Sequence, residues 1–102
     1  MIDGKELKIG EKVLVVPSLS IKQVRSLLPK MQTLQLGSFA EKDMDVCIEI
    51  IRMALSRNYP DITVDEIEDS VDMTNMVPIV KAVMNLSGMD EKPAGELEAG
   101  NQ

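Results

Sequence analysis

The chain has no histidine and no tryptophan, a single cysteine, and only two aromatic residues, Phe39 and Tyr59. The absence of histidine removes the commonest general base and metal ligand at neutral pH. One cysteine can form no internal disulfide, which excludes a disulfide-framed secreted scaffold. Cys47 falls on the apolar side of an expected helix with neither a histidine nor a second thiol for company, so it reads as a core thiol and not a nucleophile. With so few rings the interior must be aliphatic, and eight methionines are available to fill irregular gaps in it. Long apolar runs are also missing: nothing approaches the roughly 20 residues that span a bilayer. No basic segment followed by an apolar stretch opens the chain, so the expectation is a cytoplasmic protein, neither exported nor inserted in a membrane. Gly4, Gly10 and Gly37 are isolated from one another, and no glycine-rich phosphate cradle exists. No cofactor and no active site are implied, and the chain is not expected to be an enzyme.

What is present is enough apolar material, 44% of 102 residues, for one core. A domain of this size buries about 60 to 65% of the surface its unfolded chain exposes. The net charge of −6 is unevenly spread: residues 1–40 carry six basic and three acidic side chains, whereas residues 41–102 carry five and fourteen. The acidic half is a poor match for nucleic acid, which is bound by clustered Lys and Arg.

Alternation in steps of two runs from Lys5 to Val16, with Leu7 and Ile9, then Gly10-Glu11, then Val13 and Val15. A Gly-X loop of two residues suits a type II′ turn, so the segment predicts a β-hairpin, closed by Pro17, which has no N–H to offer a ladder. Such a hairpin is marginal alone and must dock on helices or pair with another chain. Ser20 can cap a first helix with Ile21, Val24, Leu27, Leu28, Met31 and Leu34 at helical spacing, kinked or divided at Pro29. A second helix is expected over about 40–58, apolar over so wide an arc (Met44, Cys47, Ile48, Ile51, Ala54 and Leu55, flanked by Val46, Ile50 and Met53) that it should be central. Thr63 and Glu66 form a capping box for a short third helix with Val64, Ile67 and Val71 facing inward. A fourth begins near Thr74, carries Met76, Ile79, Val80, Val83 and Met84 on one stripe, tolerates Pro78 in or beside its first turn, and closes at Gly88. The fold class is therefore mainly α: about four helices with an N-terminal hairpin, a single domain over 1–88, and a disordered acidic tail over 89–102.

Six carboxylates crowd Asp61 to Asp72, but the run Asp-Ile-Thr-Val-Asp-Glu lacks the glycine and oxygen ligands of an EF-hand loop, so a solvated helix start is expected and no metal. A helix-turn-helix DNA reader could use Lys22, Arg25 and Lys30, yet Pro29 interrupts a continuous recognition helix and the overall field repels phosphate.

The stretch Arg57-Asn58-Tyr59-Pro60-Asp61-Ile62-Thr63-Val64-Asp65-Glu66-Ile67, then Val71-Asp72-Met73-Thr74-Asn75 and Leu86-Ser87-Gly88-Met89, resembles small tail assembly chaperones of long-tailed bacteriophages and prophages. The Val16-Pro17-Ser18-Leu19-Ser20 entry to the first helix is similar to theirs as well, and the resemblance covers roughly residues 5 to 89. It implies a helical protein of the host cytoplasm that binds the tape-measure protein, and possible contacts with other tail proteins, keeping that long chain soluble until tail-tube subunits polymerise around it. It also implies a short form and, by ribosomal frameshifting, a longer one that would diverge after Gly88. No catalytic residues come with the resemblance.

Protein-binding candidates are Met76, Ile79, Val80 and Met84 on the fourth helix, or the face of Leu27, Leu28 and Met31 on the first. For each of them, filling the core is the competing role. The hairpin edge is open to pairing between subunits, so a homo-oligomer is compatible with this reading. A virion structural or head-tail joining protein is the alternative function, followed by a small DNA-binding regulator.

Overall fold

The computed structural model describes residues 1–89. Two strands, β1 (Gly4–Ile9) and β2 (Lys12–Pro17), are followed by α1 (Ile21–Met31), α2 (Glu41–Ser56), α3 (Val64–Ser70) and α4 (Met73–Leu86). The molecule is mainly α with an N-terminal antiparallel hairpin, as the pattern predicts.

Gly10 has φ +66°, the positive value that a two-residue turn needs at its first central position. Ile9 pairs with Lys12 and Leu7 with Leu14, so a residue of β1 shares its face with a residue of opposite parity on β2. The core-facing set is accordingly Leu7, Ile9, Leu14 and Val16. Val13, which the alternation of Val13 and Val15 placed on the apolar face, lies on the other side and is 63% exposed. The hairpin docks on α2 and α4.

Ser20 accepts from the Gln23 N–H while the Gln23 carboxamide accepts from Ser20, a capping box that starts α1. The same carboxamide donates to the Met53 carbonyl at 3.0 Å and fastens α1 to α2. Pro29 is inside α1, which ends two residues later at Met31 without a second helix behind it. Leu34, expected on the helical stripe, therefore lies in the connection to α2, half-buried against the core.

Central α2 touches α1, α3, α4 and β2. It buries Cys47, Ile50, Ile51, Ala54 and Leu55, and burial of one such aliphatic side chain stabilises by about 1.5–3 kcal/mol. Asp43 in its first turn is also buried, which composition gave no reason to expect. Its carboxylate accepts from the Gln35 N–H at 3.2 Å and from Lys42 Nζ at 2.8 Å, pinning the α1–α2 connection at the positive end of the α2 dipole.

Thr63 and Glu66 form their capping box and Ile67 is buried, but Val64 is 41% exposed and Val71 half-buried, so the inward face of α3 narrows to one residue. The α4 cap is Asp72, answered by the Asn75 side chain, which starts the helix at Met73. Pro78 is consequently its sixth residue, beyond the first turn; the ring removes the bond to the Thr74 carbonyl, and both residues lie on the exposed side. At the far end Met89 N–H donates to the Met84 carbonyl and Gly88 N–H to that of Asn85, with Gly88 at φ +77°, a Schellman motif. Met89, assigned by composition to the tail, is thus tied to the helix end and packs on the core. The rest of the expected tail, 90–102, lies outside the described residues.

Candidate functional site

Arg57, Asn58, Tyr59 and Ser87 act as joints between elements. Asn58 and Tyr59, just past α2, hold the hairpin: Asn58 donates to the carbonyls of Ile2 (2.9 Å) and Val15 (3.1 Å) and accepts from the Ile2 N–H (2.6 Å), while the Tyr59 hydroxyl accepts from the Val15 N–H (2.9 Å). Arg57 donates to the Ser18 carbonyl at 2.6 Å, and Ser87 Oγ accepts from the Leu19 N–H at 2.8 Å, securing the β2–α1 link. The two contacts to Val15 occupy backbone groups on the outer edge of β2 that would otherwise be open to another strand.

Of the protein-binding candidates, Leu27, Met76, Ile79 and Val80 are buried in the core. Met31 and Met84 are half-buried beside it, and of these candidates only Leu28, 44% exposed, lies at the surface. The two candidate faces are not brought together into one surface.

An open apolar surface lies elsewhere, between α2, α3 and the start of α4. Two recesses of about 340 and 320 Å³ share Asp45, Ile48 and Glu68 and so form one groove. Its apolar lining is Met44, Ile48, Val64, Val71, Met73 and Met76. Along its rim stand Glu41, Asp45, Glu49, Glu68 and Asp72, against one base, Arg52. Glu49 is paired with Lys30 at 2.9 Å and Asp72 caps α4, leaving Glu41, Asp45 and Glu68 without an ion-pair partner among the described residues. Phe39, the only phenylalanine, is 74% exposed immediately before α2, next in sequence to the turn whose Glu41 and Met44 line the groove.

None of these residues was legible as a site, because the groove is assembled from three elements. The available signals were Phe39, which belongs to no periodic stripe, and Val64, whose position as first residue of a short capped helix leaves it at the surface.

A larger recess of about 430 Å³ lies between the hairpin and the α2–α3 turn, lined by Ile9, Leu14, Tyr59, Ile62 and Ile67 with Lys12, Asp61 and Glu66. Its charges are mixed, and the polar ends of Asn58 and Tyr59 are engaged with the backbone of β2, so it reads as the seam that seats the hairpin.

Groups with shifted acidity are structural in their contacts. The Lys42 ammonium, helped by the Ser38 hydroxyl, holds the Asp43 carboxyl below its usual range, and the Thr74 hydroxyl with backbone N–H groups does the same for Asp72. Burial pushes the Cys47 thiol up, with Asp43 adding to it, the reverse of what a nucleophile needs. Among the described residues no cluster of three His, Cys, Asp or Glu side chains is placed to hold a metal ion, and no helix is long and apolar enough to cross a membrane. Comparison with protein-family models, curated proteins and solved structures finds no match to this chain.

Proposed function

We propose that this chain is a tail assembly chaperone of a long-tailed bacteriophage or prophage, a non-enzymatic protein that binds the tape-measure protein in the host cytoplasm and keeps it soluble while the tail is built. The observation that carries this reading is the apolar groove of α2, α3 and α4 with its carboxylate rim, which matches a polypeptide better than a small reactant. Methionines 44, 73 and 76 in its walls are side chains that adapt to partners of variable shape. The rim would favour basic flanks on a bound helix and keep complexes with apolar clients dispersed. Other tail proteins are secondary partners under this reading.

The test is co-expression with the tape-measure protein encoded alongside it. The chaperone reading expects the tape-measure chain to stay soluble and co-purify, and mass spectrometry of finished particles to lack the present chain. Its retention in virions would instead favour a structural or head-tail joining role, and tight binding to duplex DNA in a gel-shift assay would favour the regulator.

A further inference from the structure

The groove has a chemical counterpart on the same chain. α1 carries Lys22, Arg25 and Lys30 and no acidic residue. Its outer stripe is Ile21, Arg25 and Leu28, at i, i+4 and i+7, with Lys22 alongside. Ile21 is 71% exposed and Leu28 44%, an unusual outlay of aliphatic surface on a helix whose inner side already buries Leu27. Lys30 is neutralised by Glu49, whereas Lys22 and Arg25 have no ion-pair partner among the described residues. An exposed apolar stripe flanked by unpaired bases is what an apolar trough rimmed by unpaired carboxylates would accept.

The two surfaces cannot meet within one molecule. α1 is held against α2 by Gln23 and by the Lys30–Glu49 pair, with Leu27 inward, so its outer stripe faces away from its own α2. The segment beyond residue 89 is a poor occupant, because it carries Asp90, Glu91, Glu96 and Glu98 against Lys92 and would be repelled by the rim. A second copy has the right sign at the right helix, and the excess of base in residues 1–40 together with the excess of acid in residues 41–102 is the sequence-level form of that complementarity.

We propose that the Ile21-Arg25-Leu28 stripe of α1 on one copy docks in the groove beside Asp45, Ile48 and Glu68 of another, so that the chain self-associates through unlike surfaces. This rests on the reading of the groove as a polypeptide-binding site, and it makes self-association and client binding mutually exclusive.

Light scattering on the full chain tests it. The wild type should associate with rising concentration at low salt and dissociate as salt is raised. Lys22→Glu/Arg25→Glu and Asp45→Lys/Glu68→Lys change only exposed side chains, and each double variant should keep its helical circular dichroism while self-associating at least roughly tenfold more weakly. Mixing the two variants should restore association, since each then supplies the sign the other lost. A wild type that stays monomeric at low salt, an oligomer that survives both reversals, or a mixture that fails to reassemble would overturn the proposal. A designed helical peptide of leucine and lysine separates this from the parent reading. If it binds the Lys22→Glu/Arg25→Glu chain while the wild type is monomeric, only self-association falls; if it fails to bind as well, the groove itself is lost as a polypeptide site.

Discussion

Tyr59 and Val15 are joined by a hydrogen bond of 2.9 Å from the Val15 N–H to the phenol oxygen, and the neighbouring Asn58 carboxamide takes the Val15 carbonyl at 3.1 Å. Two consecutive residues at the exit of α2 thus satisfy both backbone groups of one residue of β2. They anchor a hairpin that could not persist alone, and they occupy the outward backbone groups of Val15 on one of its edges.

Removing the phenol oxygen leaves the Val15 N–H part-buried and unpaired. Tyr59→Phe should therefore lower stability by about 1–2 kcal/mol in urea titration. Asn58→Ala, which loses contacts to Ile2 as well as Val15, should cost more than Tyr59→Phe and raise hydrogen exchange throughout β1 and β2.

Gly4 opens β1 against the backbone of Val16 and Pro17 so closely that a Cβ would run into the Val16 carbonyl. Gly4→Ala should destabilise by about 1–3 kcal/mol through that overlap, although alanine ordinarily suits a strand better than glycine. Thermal unfolding measures it; a neutral or raised Tm would mean the strand opening relaxes freely.

Acid sensitivity should follow from Asp43 and Asp72, both held below their ordinary value in the fold. A carboxyl with a depressed folded pKa contributes stability that is complete above the unfolded value, near 3.8 here, and is lost as pH falls toward the folded one. The urea midpoint should hold from about pH 7 to 5 and decline below about pH 4. Asp72→Asn, which keeps a capping oxygen but no charge, should make that decline shallower.

Much of the fold was legible because local chemistry and tertiary packing agree. The Ser20 and Thr63 caps, the Gly10 turn, the Gly88 closure and the breadth of the α2 apolar arc each act within a few residues. The misreadings arise where parity or distance decides. Val13 and Val15 alternate as well as Leu14 and Val16, and only the pairing of Ile9 with Lys12 selects the inward set. Asp72 escaped notice as a cap because Asn75, not glutamate or glutamine, answers it. For the binding surface, the clean stripe Met76, Ile79, Val80 was the signal of a helix buried against α2, whereas the groove is built from weaker stripes that its neighbours leave uncovered.

The central claim is that the chain holds a polypeptide in the groove between α2, α3 and α4. Its most direct measurement is a methyl-NMR titration of the full chain with a basic amphipathic helical peptide. The predicted result is saturable shifts at Met44, Ile48, Val64 and Met73, greatly weakened in Asp45→Lys/Glu68→Lys; no binding, or shifts confined to the seam around Tyr59 and Ile67, would contradict it.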